Sequence, residues 1–161
     1  MKKSILLLIA PVLLLSGCVT VHDFSSNTAP GTRVTLKAKE PVEVYGLDGQ
    51  SRVFGITATG GYVAYLAPGQ HSLEIHYQCQ PAGLIIADAF APPNAPVHTF
   101  VSAQPQNLQF TAVPGHTYSL VGQDGKGRWN VFIDDITSPA APVRLPVHVE
   151  GTLVLNSSRP Y

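Results

Sequence analysis

Charge is scarce in this chain. Only 12% of its 161 residues are Asp, Glu, Lys or Arg, and the 10 basic side chains equal the 10 acidic ones. A surface that tracks phosphates needs a cluster of Lys and Arg, and none occurs, so nucleic acid is not an expected partner. Cysteine is scarcer still, with two residues, which excludes a disulfide framework and a four-thiolate zinc site. Long apolar runs are missing too: Ile5 to Leu15 is interrupted by Pro11 and falls well short of the roughly 20 residues that span a bilayer as a helix. The sequence also lacks His-Glu-x-x-His, His-x-His, Cys-x-x-Cys, a Gly-x-Ser-x-Gly elbow and a Gly-Lys-Ser/Thr phosphate loop, so no cofactor or metal is implied.

What the chain has is a patterned start. Lys2-Lys3 precede the apolar run, and small residues follow it, the layout of a secretory signal peptide over residues 1–17. Leu15-Ser16-Gly17-Cys18 resembles the lipobox of bacterial lipoproteins: apolar, small, small, Cys. The resemblance implies cleavage before Cys18, acylation of that residue and a membrane held through its acyl chains. One chain alone holds only marginally, whereas several give a stable anchor. Val19, not Asp, follows the Cys, which by the sorting rule of enterobacterial relatives implies the outer membrane, with the domain facing the periplasm. Residues 18–31 then read as lipidated Cys and polar tether, with Ser25, Ser26, Asn27, Pro30 and Gly31.

Residues 32–161 read as one all-β domain, an antiparallel β-sandwich of about nine to eleven short strands, because turn signals punctuate period-2 alternation every 8 to 12 residues or so. Val34/Leu36/Ala38, Val42/Val44, Leu73/Ile75/Tyr77, Tyr118/Leu120, Trp129/Val131/Ile133 and Leu145/Val147/Val149 supply the apolar phases. Asp48-Gly49, Gly60-Gly61 and Asp124-Gly125-Lys126-Gly127 supply turns, with a strand near Arg52 to Thr59. Tyr62/Ala64/Leu66 and Leu108/Phe110/Ala112 each lead into Pro-Gly, at Pro68-Gly69 and Pro114-Gly115, so each predicts two strands joined at a tight corner. The pieces from Leu66 to Asp134 look like small β-sandwich modules of bacterial envelope lipoproteins, a likeness of pattern that implies no activity.

One stretch departs from alternation. Ala82 to Phe90 is apolar almost throughout and predicts one short helix or loop near 82–90, stopped by Pro92-Pro93. It either plugs the sandwich or offers Leu84, Ile85 and Phe90 to a partner or membrane surface.

The remaining candidates have plain alternatives. Cys79, on the Leu73/Ile75/Tyr77 phase, is expected as a small buried hydrophobe, with a redox or pairing role as its rival. Trp129 reads as core or as a binding aromatic. Asp134 and Asp135, adjacent on a strand, face opposite ways and cannot form a carboxylate dyad. The expected function is therefore a non-catalytic, outer-membrane-anchored lipoprotein that binds or supports an envelope protein or cell-wall partner. Two alternatives stand beside it: a hydrolase or metal-dependent enzyme built from His76, His98, His148 and Asp134, and an inhibitor that inserts a loop into an enzyme's cleft.

Overall fold

The computed structural model describes residues 20–26, 28–51, 61–80 and 97–158. The strands are β1 (Thr20–Phe24), β2 (Val34–Ala38), β3 (Val42–Leu47), β4 (Gln50–Ser51), β5 (Tyr62–Leu66) and β6 (Gly69–Cys79), then β7 (Val97–Ser102), β8 (Gln106–Ala112), β9 (Thr117–Gly125), β10 (Arg128–Asp135) and β11 (Val143–Ser158). A 3-10 turn at Pro30–Thr32 is the one helical element among the described residues, and no helix there is long and apolar enough to cross a membrane.

The strands form one curled sheet in the order β1-β5-β2-β9-β10-β11-β7-β6-β3-β4, with β8 on the edge of β6. It is all-β, as the alternation predicts. Most pairings are antiparallel, but β1 with β5 and β2 with β9 run parallel. The long β11 makes the curl: its first part pairs with β10 and its last part with β7. Register slips between Phe132 and Asp134, so three β11 residues including Pro146 oppose one on β10. A proline, lacking an N–H, fits in a strand at such an irregularity.

Two layers therefore face each other. Alternate residues of each strand enter the space between them: Val34, Leu36, Ala64, Leu66, Leu73, Ile75, Leu108, Leu120, Val131 and Ile133 are all buried. Each of the Val, Leu and Ile side chains among them contributes about 1.5–3 kcal/mol on leaving water. Both Pro-Gly corners move the chain between layers, Pro68-Gly69 from β5 to β6 and Pro114-Gly115 from β8 to β9. Gly69 and Gly115 take φ of 131° and 75°, which side-chain-bearing residues avoid. The Tyr118 hydroxyl accepts the Val113 N–H at 3.1 Å and ties the second corner shut. Asp48-Gly49 and Lys126-Gly127, each with two positive φ values, close the β3–β4 and β9–β10 hairpins.

The two ends of the sandwich differ. Both Pro-Gly corners and the Asp48 turn sit at one, the corner end. At the other lies the β9–β10 turn, and the row of Thr20, Tyr62 and Ala38, one residue past that of Lys37, Ser119 and Asp134, shows that β1 begins partway along the longer β9 and β10.

Residues 20–24 correct the expectation of a tether. They form a strand because the free edge of β5 offers N–H and C=O groups that a neighbour satisfies, and because Phe24 packs on the core. Asp23 Oδ1 then accepts the Ser25 N–H and hydroxyl at 2.9 and 2.6 Å and fixes the strand's exit. The strand expected near Arg52 to Thr59 and the helix or loop near 82–90 lie outside the described residues.

Candidate functional site

The outward face of β3, β6 and β8 gathers the polar side chains that the core excludes. Alternation along β6 turns Gln70, Ser72, Glu74, His76 and Gln78 outward while His71, Leu73, Ile75 and Tyr77 turn in. On β8 the outward set is Asn107, Gln109 and Thr111, and register sets Gln109 beside Ser72 and Asn107 beside Glu74. β3 adds Glu43, opposite His76, and Tyr45, which occupies a register slip between Val44 and Gly46. That extra residue re-aims the phenol. Its ring stacks on the His76 imidazole with centroids 3.9 Å apart and planes 29° from parallel.

Two carboxylates flank this stack. His76 Nε2 lies 3.6 Å from Glu74 Oε1, and the Tyr45 hydroxyl donates to Glu43. Burial pushes the Glu43 carboxyl up, the Tyr45 hydrogen bond opposes this, and neighbouring Glu40 adds to it. Burial, then Glu43, raises the Tyr45 phenol as well. Gly46 leaves room for Glu74: a Cβ there would sit 3.1 Å from Glu74 Oε2. Beside the cluster Gly46, Gly49, Ser51, Ser72, Glu74, Asn107 and Gln109 line a depression of about 290 Å³. Hydroxyls, amides and a carboxylate in one shallow site can hold a polar, weakly charged ligand by many directional hydrogen bonds.

Two further His–Asp pairs lie at the corner end, one after each Pro-Gly. His71 Nδ1 is 2.8 Å from Asp48 Oδ2, and its Nε2 donates to the Ala67 carbonyl at 2.8 Å. Asp48 Oδ1 also accepts the Ser72 N–H at 2.9 Å. His116 Nδ1 is 2.6 Å from Asp135 Oδ2, while Asp135 Oδ1 accepts the Thr137 N–H at 3.0 Å and its hydroxyl at 2.6 Å. Desolvation pushes the Asp135 carboxyl up, but the Thr137 and His116 hydrogen bonds outweigh it and hold the group below its ordinary value. Phe110 and Tyr118 bridge the pairs: His71 to Phe110, Phe110 to Tyr118 and Tyr118 to His116 are 6.0, 5.4 and 6.1 Å between centroids. Each pair pins a hairpin or strand end to a corner, which is a structural task.

The His and Asp residues singled out for catalysis are not brought together. His76 lies on the outer face of one layer. His148 lies on the outer face of the other, stacked on Phe132 at 5.6 Å. Asp134 is there too, held by Arg144 at 2.8 and 3.1 Å. His98 belongs to β7, opposite Ser157. Among the described residues no group of three His, Cys, Asp or Glu side chains is placed to hold a metal.

Trp129 is fully buried, in the core. Cys79 is half-buried, at the margin of the core, and not enclosed as its phase predicts, because β6 ends there. Its Sγ lies 3.9 Å from Asp124 Oδ2, and burial followed by that carboxylate pushes the thiol up. Cys18, Leu84, Ile85 and Phe90 lie outside the described residues. Sequence reading missed the Glu43–Tyr45–His76–Glu74 cluster, whose one local sign is Glu43 and Tyr45 alternating with Val42 and Val44. Comparison with known proteins returns no counterpart: no family model matches this chain, and no curated protein or solved structure matches it.

Proposed function

We propose that this chain is an envelope lipoprotein, held to the outer membrane through acyl chains on Cys18, whose β domain is a non-catalytic module that binds an envelope protein or cell-wall polymer. The anchor half of this reading rests on Lys2-Lys3, the apolar run and Leu15-Ser16-Gly17-Cys18. The observation that carries the binding half is the outer face of β3, β6 and β8, where a partly buried carboxyl, Glu43, accepts from Tyr45, the Tyr45 ring stacks on His76, and Glu74 beside His76 lines an amide-bearing depression. Ionisable groups shifted by burial and by a specific partner are concentrated at functional sites. The enzyme alternative has less support, since His76 lies on the opposite face from His148 and Asp134.

The test is site-specific photocrosslinking in intact cells, with the reactive residue at Gln109 on this face or at Asn130 on the other layer. A discrete product from position 109, absent from position 130 and lost on Glu74→Ala, is expected. Equal products from both faces would remove the assignment, and a membrane-fraction Cys18 peptide without acyl mass would remove the anchor.

A further inference from the structure

The outer face of β3, β6 and β8 differs from that of the other layer in the side chains it withholds. Of the outward positions on β6 and β8, Gln70, Gln78, Asn107 and Gln109 are amides, Ser72 and Thr111 are hydroxyls, and Glu74 and His76 complete the set. None is aliphatic. None of the described lysines and arginines lies on β3, β4, β6 or β8. On the outer face of the other layer, by contrast, Lys37 is exposed and Arg144 lies over the Phe132 ring at 4.4 Å.

The amide-rich face carries two neighbouring hollows. The depression beside Gly46 and Glu74, about 290 Å³, adjoins a second of about 240 Å³ lined by Asp48, Gln70, His71, Ser72 and Gln109. Ser72 and Gln109, directly opposite each other on β6 and β8, line both. Glycines at 46 and 49 keep the hairpin side of the first hollow free of side chains. From Gln70 to Glu74 the strand advances about 13 Å, so the two hollows follow one another along β6.

We propose that the ligand of this face is a neutral glycan, a chain of hydroxyl- and acetamido-bearing sugar rings with one ring over each hollow. This rests on the reading of the β3–β6–β8 face as a binding surface and does not involve Cys18. An amide side chain donates and accepts at once, as sugar hydroxyls and acetamido groups do, and a carboxylate accepts from several hydroxyls. An anionic polymer is matched by Lys and Arg, which this face lacks among its described residues. A cationic peptide would compete with partners that the carboxylates already hold: Glu74 lies beside His76, Glu43 accepts from Tyr45, and Asp48 holds His71 and the Ser72 N–H. A protein interface is anchored by large apolar, aromatic or Arg side chains, and the aromatic ring here, Tyr45, has one side covered by His76.

The experiment titrates the full chain in detergent, by calorimetry, with tetrasaccharides of N-acetylglucosamine and of glucose as neutral probes and of galacturonate as the anionic one. At least one neutral probe should bind, with an affinity that changes little between low and high salt, and the anionic probe should bind more weakly by about tenfold or more. Asn107→Ala in the first hollow and Gln70→Ala in the second, both at exposed positions, should each weaken the neutral probe about fivefold through loss of a hydrogen bond. Asn130→Ala on the other layer should leave it unchanged. Failure of both neutral probes to bind, tighter binding of the anionic probe, or binding that either hollow's substitution leaves unchanged overturns the glycan. A discrete protein product crosslinked from position 109 in cells would then leave the binding face standing with another occupant, and no product from that position would remove the face as well.

Discussion

The ring of Tyr77 lies 5.6 Å from that of Trp129, 17° from parallel, and the two come from opposite layers of the sandwich. Each lies over a glycine. A Cβ on Gly122 would come within 2.7 Å of Tyr77 Cε2, and one on Gly151 within 2.7 Å of Trp129 Cε2 and Nε1. The stack thus runs from the backbone of one strand through two rings to the backbone of another. Gly151→Ala and Gly122→Ala should each destabilise the domain by about 1–3 kcal/mol through overpacking. Gly125, with nothing within 4 Å of an added Cβ, is the control, and Gly125→Ala should be neutral or slightly stabilising. Urea denaturation of the three variants checks this.

Those glycines show where a sequence stops being readable. Alternation identifies Leu73, Ile75, Trp129, Val131 and Ile133 as inward because each strand carries its own phase. Pro-Gly marks both corners because the backbone requirement is local. Nothing local says that Trp129 will rest on Gly151, or that His116 will find Asp135 nineteen residues later. β1 was hidden for another reason: in Val21-His22-Asp23-Phe24 a polar His shares the phase of Phe24, so the strand carries too weak an apolar signal to separate it from the polar residues that follow. The Tyr45–His76 stack needs both a register slip and a strand pairing thirty-one positions apart, and neither is written in composition.

Asp135 should make stability fall in acid. Its carboxyl titrates lower in the fold than in the unfolded chain, so on acidification the unfolded chain takes up the proton first. The contribution is complete above the ordinary Asp value of 3.8 and is lost as pH falls through the lower folded value. Asp135→Asn should cost about 1 kcal/mol at neutral pH, where charged hydrogen bonds to Thr137 are lost, and the deficit should shrink below about pH 4. A variant whose deficit is the same at pH 7 and pH 3 would show that Asp135 acts by shape alone.

Cys79 should react slowly in the native state. Burial, and then Asp124, keeps its thiol protonated, and the thiolate is the nucleophile. Iodoacetamide labelling should be far slower in folded than in unfolded protein, and Asp124→Asn should accelerate it by removing a negative neighbour. The Tyr77 hydroxyl, which donates to Asp124 Oδ1 at 2.8 Å, is likewise pushed up, by burial first. Both groups ionise earlier in the unfolded chain, so stability should decline above about pH 9. Rapid native labelling would mean that the β6 end opens to solvent.

Glu43 separates stability from recognition. Burial raises its carboxyl above the ordinary Glu value of 4.5, so its charged form at neutral pH is less favoured in the fold than in the unfolded chain. The sign follows from linkage: stability is fullest below pH 4.5 and declines as pH rises through the unfolded and then the folded value. Glu43→Gln keeps an acceptor for the Tyr45 hydroxyl and removes that penalty. It should therefore raise the melting temperature at pH 7, by a stabilisation under about 1 kcal/mol because the group is partly solvated, and leave it unchanged near pH 4. If the β3–β6–β8 face recognises a partner, the same substitution should weaken crosslinking from Gln109. A Glu43→Gln protein that is less stable at pH 7 would make the carboxylate a structural acceptor and take away the argument that this face is kept for binding.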